Sequence, residues 1–201
     1  MAEKRFVKLL LLMMLFELLI FPADVASLRR RRRRPVCSSQ KPAGARWVNN
    51  WQGSFSFQCS AGKSVQLWKS IHRNCKQDRI HSFNCKYGPV RYKSCDCTWQ
   101  NYANSYDKPL VFKCPNNGFI TGIRSFYSTS YQDRKFRFRC CHIKKYRPNK
   151  CKITSLRNFW DRNLNYRVPH NYYLVGAFSD HDNRYQDRRW QFEICQFGRC
   201  R

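Results

Sequence analysis

Acidic residues are scarce in this chain: 12 Asp and Glu stand against 39 Lys and Arg in 201 residues. With so few acids, neither a paired-carboxylate site nor a Ser-His-Asp arrangement can be assembled from the sequence, which argues against a hydrolase. There is no Asn-x-Ser/Thr sequon, so N-glycosylation is not expected. There is no long apolar run either. The longest, Leu9–Phe21, is broken by Glu17 and is too short to span a bilayer. No long amphipathic segment follows it, so any pore-forming role would need a rearrangement. A phosphate-binding loop is missing as well: Gly62-Lys63-Ser64 resembles the end of one, but Phe57 stands where its partner glycine belongs. The chemistry that needs those features is excluded, and no cofactor or metal is expected.

What is present begins with targeting. Lys4, Arg5 and Lys8 precede the apolar run, and Val25-Ala26-Ser27 supplies small residues for cleavage after Ser27. Residues 1–27 therefore read as a secretory signal. Residues 28–34 are Leu28 and six arginines, a run that cannot pack. It reads as a propeptide cut after Arg34, although Pro35 just beyond the cut suits such proteases poorly; the other reading is a basic tail that stays on. Removing residues 1–34 leaves 30 Lys and Arg against nine Asp and Glu, a net charge of +21. The folded body is itself cationic, and such a field attracts polyanions and anionic membranes. All 12 cysteines lie in residues 35–201. An even, dense set behind a signal peptide points to disulfides and secretion.

The chain repeats itself. QDRIHSFNC, QDRKFRFRC and QDRRWQFEIC start at Gln77, Gln132 and Gln186, a nearly constant interval. Aligned on Asp78, Asp133 and Asp187, each copy has a serine upstream (Ser70, Ser125, Ser179) and a phenylalanine downstream (Phe83, Phe138, Phe192) at fixed distances. Arg79, Arg134 and Arg188 follow the aspartates. Further upstream, Phe55/Phe57/Cys59, Leu110/Phe112/Cys114 and Leu164/Tyr166/Val168 alternate with polar residues, the period of half-buried strands. The expected fold is all-β: a single disulfide-rich domain over residues 35–201, made of three similar antiparallel units of about 54 residues with long loops. The units span roughly residues 47–97, 98–151 and 152–201. Three copies of an Asp-Arg phrase suit a structural device better than a catalytic one. The aspartate is expected to open a turn and the arginine to anchor a carboxylate or carbonyl at a strand end.

The alignment also predicts two disulfides. Units one and two carry cysteines at both ends, Cys59 with Cys85 and Cys114 with Cys140, while unit three has lost both together and has Val168 and Ile194. Joint loss is what bonded pairs show, since an orphan thiol is reactive. Each bond closes a loop worth about 3 kcal/mol. The other cysteines are not fixed this way. Cys97–Cys141 and Cys151–Cys195 are taken as further pairs, and Cys37, Cys75, Cys95 and Cys200 are left unassigned. Cys140 and Cys141, adjacent in a strand, point to opposite faces and do not bond each other.

The units FSFQC, LVFKCPNNG, QDRKFRFRCC and QDRRWQFEIC, with their Asp-Arg-x-aromatic-x-Phe phrases, Cys-Pro-x-x-Gly turn and vicinal cysteines, resemble the dermatopontin family over roughly residues 47–200. The resemblance implies a secreted, non-enzymatic, disulfide-bonded β protein of extracellular matrix. Vertebrate members bind proteoglycan and collagen and promote cell adhesion; invertebrate relatives include haemagglutinins and a basic venom cytotoxin. This chain is basic where the vertebrate members are acidic, which moves it toward the toxin-like branch.

Residues 134–152 hold nine Lys and Arg and no acid. Phe136 and Phe138 face one side of a strand, so Lys135, Arg137 and Arg139 face the other. Together with Arg134, Lys144, Lys145, Arg147, Lys150 and Lys152 they form the expected anion-binding set. The partner is a sulfated glycosaminoglycan, a proteoglycan or another anionic cell surface, or in the alternative reading a target-cell membrane. The secretory signal argues against nucleic acid. Two functions follow: an adhesion and recognition protein of matrix or cell surface, or a secreted basic cytotoxin. His181, between Asp180 and Asp182, reads as a solvated turn rather than a cation site, and His81 takes an aromatic's place in the core.

Overall fold

Each alternating run becomes a strand among the described residues, 37–89 and 95–200 of this computed structural model. Ser27, Arg34 and the segments 1–27 and 28–34 lie outside them. Ser38–Arg201 make up one compact unit, and the fold concerns that unit. The strands are β1 (Phe55–Gln58), β2 (Lys63–Arg73), β3 (Asp78–Tyr87), β4 (Asp96–Tyr102), β5 (Leu110–Lys113), β6 (Phe119–Ser128), β7 (Asp133–His142), β8 (Tyr146–Ile153), β9 (Leu164–Arg167), β10 (Tyr173–Asp182) and β11 (Asp187–Arg199). Among the described residues the only helical element is a short 3₁₀ turn at Asn74–Lys76.

Three long antiparallel hairpins, β2–β3, β6–β7 and β10–β11, carry the phrases found in the sequence. Gln77, Gln132 and Gln186 enter the second strand of each in the left-handed region, at φ 49°, 50° and 49°. The strand order, β1-β6-β7-β4, β5-β10-β11-β8 and β3-β2-β9, is compatible with three similar units but does not keep each unit to itself. The short strand β1 pairs with β6, β5 pairs with β10, and β9 returns to β2. Each short strand is therefore handed on to the next hairpin, and the last is handed back to the first.

A bulge fixes each hand-over. The registers shift at Val65/Leu67, Ile120/Gly122 and Leu174/Gly176. The bulged residues turn a carbonyl outward. Val168 N–H donates to Gln66 O at 2.8 Å, Cys59 N–H to Thr121 O at 2.8 Å and Cys114 N–H to Val175 O at 2.9 Å. The turn at Pro115–Gly118 closes by Gly118 N–H to Pro115 O, 3.0 Å. A Cβ on Gly118 would sit 2.9 Å from Cys141 O, so only glycine fits there.

The inward faces meet in one aromatic core. Trp68, Phe136, Phe138, Trp190 and Phe192 are each at most 1% exposed. Trp68 and Trp190 lie 4.7 Å apart, and Phe136 meets Trp190 edge-on at 5.0 Å. Burying such side chains contributes about 1.5–3 kcal/mol each. His81 is in this core as expected, wholly buried, with Trp68 Nε1–H donating to its Nδ1 at 3.1 Å.

All four expected disulfides are present: Cys59–Cys85, Cys114–Cys140, Cys97–Cys141 and Cys151–Cys195. Cys37 and Cys75 are also disulfide-bonded, while Cys95 and Cys200 are free thiols. Val168 and Ile194, in the place of the missing third bond of that type, are 3% and 1% exposed and belong to the core.

Candidate functional site

The Asp-Arg phrases meet in a closed ring of buried ion pairs. Arg134 Nε and Nη2 donate to Asp78 at 2.6 and 2.8 Å. Arg188 donates to Asp133 at 2.7 and 2.6 Å, and Arg79 to Asp187 at 2.5 and 2.8 Å. Each arginine thus clamps the aspartate of another copy, and all six residues are at most 4% exposed. The second arginine nitrogens also donate to Gly53 O, Lys108 O and Arg162 O.

The arginine role agrees with expectation; the aspartate role is corrected. Each carboxylate accepts a backbone N–H from 26 residues upstream: Asp78 from Gln52, Asp133 from Asp107, Asp187 from Asp161. It pins a distant loop rather than opening its own turn. Sequence reading missed Asn49, Asn104 and Asn158, which brace those loops. Their Oδ1 accepts from His81, Phe136 and Trp190 N–H, and their Nδ2 donates to Arg79, Arg134 and Arg188 carbonyls. The signal was there, since the three asparagines recur at the same interval as the Asp-Arg phrases.

His181 is also corrected. Its side chain is 2% exposed and faces Asp133 at 3.2 Å and Asp107 at 3.5 Å, not solvent. His72 takes the matching place beside Asp161 at 3.0 Å, with Asp187 in the same group. At the remaining corner Tyr127 stands in the histidine's place and bonds Gln77 O. Burial raises the Asp133 carboxyl, but hydrogen bonds from His181 and Arg188 together outweigh it and hold it at about 2. Burial, with Arg134 and Arg79 nearby, keeps the His81 imidazole well below 6.5.

The ring is internal and its carboxylates are all paired with arginines, so it builds the frame; Nη1 of Arg134 and of Arg188 is buried without a hydrogen-bond partner. It also removes one residue from the expected anion-binding set: Arg134 is 4% exposed and its guanidinium is held by Asp78. Lys135, Arg137 and Arg139 do lie on the outer face of β7, half-exposed. Lys144, Lys145, Arg147, Lys150 and Lys152 are exposed along the β7–β8 turn and β8.

The structure adds residues that the 134–152 window could not contain. On β6, Arg124 is the direct cross-strand partner of Arg137. Arg124 lies 4.2 Å from the ring of Trp99 on β4, and Nε donates to Ser56 Oγ on β1. Trp99 reaches across to Gly122, where a Cβ would be 3.1 Å from the indole. Lys135 sits over Tyr106 at 4.5 Å and Arg137 over Tyr102 at 5.5 Å; Tyr102 in turn meets Phe126. The outer face of β1-β6-β7-β4 is thus a field of cations set among aromatic rings. Two like charges directly opposite one another weaken a sheet, so the Arg124/Arg137 pair is a cost that a bound anion would relieve.

Frame and face together define a class: a disulfide-stapled all-β protein, of the kind kept in oxidising compartments, that displays positive charge on the outer face of one sheet. The chain belongs to the dermatopontin family, whose profile matches residues 49–200. It is 39% identical over 158 residues to the hemagglutinin/amebocyte aggregation factor of Limulus polyphemus, covering 77% of this chain and 89% of that protein. It is 32% identical to Millepora cytotoxin-1 of Millepora dichotoma, covering 74% of this chain and 65% of that protein. It is also 32% identical to dermatopontin of Biomphalaria glabrata, covering 71% and 94%. No solved structure matches the chain.

Proposed function

We propose that this protein is an extracellular adhesion and recognition protein that binds sulfated glycosaminoglycans, or other anionic surface polymers, on the outer face of β1-β6-β7-β4. The observation that carries the reading is Arg124 opposite Arg137, flanked by Lys135 and Arg139 and interleaved with Trp99 and Tyr102. The strand β8, which belongs to the sheet β5-β10-β11-β8, carries further exposed cations. Similarity to a hemagglutinin/aggregation factor supports a role at cell surfaces. Binding of a polyanion to such a face weakens steeply with salt.

Heparin chromatography tests this. The folded protein should be retained at physiological salt, and a variant with Arg124→Ser, Lys135→Gln, Arg137→Gln and Arg139→Gln should elute at clearly lower salt. Equal elution of the two, or no retention of either, would dismiss the reading.

The similarity to Millepora cytotoxin-1 supports a second reading, a secreted cytolysin acting on anionic membranes. Among the described residues no helix is long and apolar enough to cross a membrane. Dye release from phosphatidylserine vesicles and red-cell lysis decide it; silence in both removes it.

A further inference from the structure

We propose that Cys95, Cys97 and Cys141 form a thiol–disulfide exchange site, in which the Cys97–Cys141 bond alternates with a Cys95–Cys97 bond. Cys95 is a free, half-buried thiol whose Sγ lies 2.9 Å from Sγ of Cys97, itself bonded to Cys141. The nucleophile and the sulfur it would attack are therefore already in contact. The third sulfur is equipped to leave. Arg139 Nη1 points at Cys141 Sγ from 3.6 Å, and Thr121 Oγ1 is 3.1 Å from it. All three sulfurs, with Arg139 and Lys63, line one cleft. Arg139 thus stands beside the sulfur on which negative charge would develop.

The step balances without an outside oxidant or reductant. The Cys95 thiol loses its proton to water in the cleft, and the thiolate attacks Sγ of Cys97. A Cys95–Cys97 bond forms as Cys97–Cys141 breaks, and the electron pair leaves on Cys141 Sγ beside Arg139 and Thr121. One disulfide and one thiol remain throughout. Because Cys97 and Cys141 are paired across β4 and β7, exchange unpins β4, the edge strand that carries Trp99 and Tyr102.

The chain contains its own control. Cys151–Cys195 has the same separation of 44 residues as Cys97–Cys141. One repeat further along the chain, Asn149 stands for Cys95, Glu193 for Arg139 and Val175 for Thr121. At that bond an asparagine takes the place of the attacking thiol, and an acid, held by Lys113 at 2.7 Å, takes the place of the cation.

The test is a thiol map of the full chain, purified without reductant, quenched in acid, unfolded and labelled with N-ethylmaleimide. Label should divide between Cys95 and Cys141, with a Cys95–Cys97 linked peptide in the same digest and no label on Cys151 or Cys195. Cys95→Asn, which copies the third unit, should abolish label on Cys141. Arg139→Glu, likewise copied, should lower its share several-fold. Label confined to Cys95 in the wild-type protein, or a Cys95–Cys200 bond, overturns the proposal, and the wild-type map alone decides this even where a variant fails to fold. An unchanged share in Arg139→Glu removes the leaving-group role of that arginine.

Discussion

At the scale of single residues, position in the ring separates arginines that look alike in the sequence. Arg134 and Lys135 are neighbours, yet one is buried against Asp78 and the other lies over Tyr106 at the surface. Breaking a buried pair leaves an uncompensated charge and costs about 3–5 kcal/mol. Arg134→Met should therefore lower stability by that amount in urea denaturation, while Lys135→Gln should change it by no more than about 0.5 kcal/mol. Acid should act in two windows, one set by His81 and one that includes Asp133. His81 stays neutral in the fold, whereas the unfolded imidazole takes a proton below about 6.5, so stability falls as pH drops through that value. Asp133 is held at about 2 against 3.8 for an ordinary aspartate, so its contribution, about 2 kcal/mol, is complete above 4 and lost as pH falls toward 2. Urea midpoints at pH 7, 5, 4 and 2 would show both steps. His81→Phe, which places the aromatic of the second unit in the first, should flatten the upper step and leave the lower one.

At the scale of elements, the outer face of β1-β6-β7-β4 carries charge that its fold does not require. The positions that match Lys135, Arg137 and Arg139 are Ile80, Ser82 and Asn84 in β3 and Arg189, Gln191 and Glu193 in β11, so the hairpin tolerates neutral residues there. Opposed like charges cost a sheet a few tenths of a kcal/mol to about 1 kcal/mol. Arg124→Ser should raise the melting temperature slightly at low salt while weakening heparin retention. A loss of both stability and retention would mean that Arg124 serves the sheet, through Trp99 and Ser56, more than a ligand.

At the scale of the whole molecule, the three hairpins depend on one another in a circle. β1, β5 and β9 each complete a sheet begun by another hairpin, and the Asp-Arg clamps run around the same circle. A linear array of repeats tolerates the loss of an end unit because each contacts only its neighbours; a closed circle has no end unit. A fragment lacking residues 152–201 removes β9 from β2, Asp187 from Arg79 and Arg188 from Asp133 at one stroke. It should show no cooperative transition by circular dichroism, whereas the full chain should unfold in a single one. A folded two-unit fragment would refute this account of stability.

The sequence alone determined the short strands β1, β5 and β9, the strands that follow the Asp-Arg phrases, the Cys59–Cys85 and Cys114–Cys140 bonds and the sidedness of Phe136 and Phe138, because alternation and repetition are local properties read along one strand or one alignment; the first strand of each hairpin, β2, β6 and β10, was left unread. The partner of each phrase was beyond its reach. Asp78 and Arg134 stand a whole repeat apart, and nothing in their spacing says that the arginine of one copy reaches the aspartate of another rather than its own. For the same reason the basic window included a buried Arg134 and omitted Arg124 and Trp99. Strand pairing brings β4, β6 and β7 side by side, and only that juxtaposition makes a face. His181 was misread because its acids come from Asp107 and Asp133, across a hand-over between units, and not from the residues beside it in the chain.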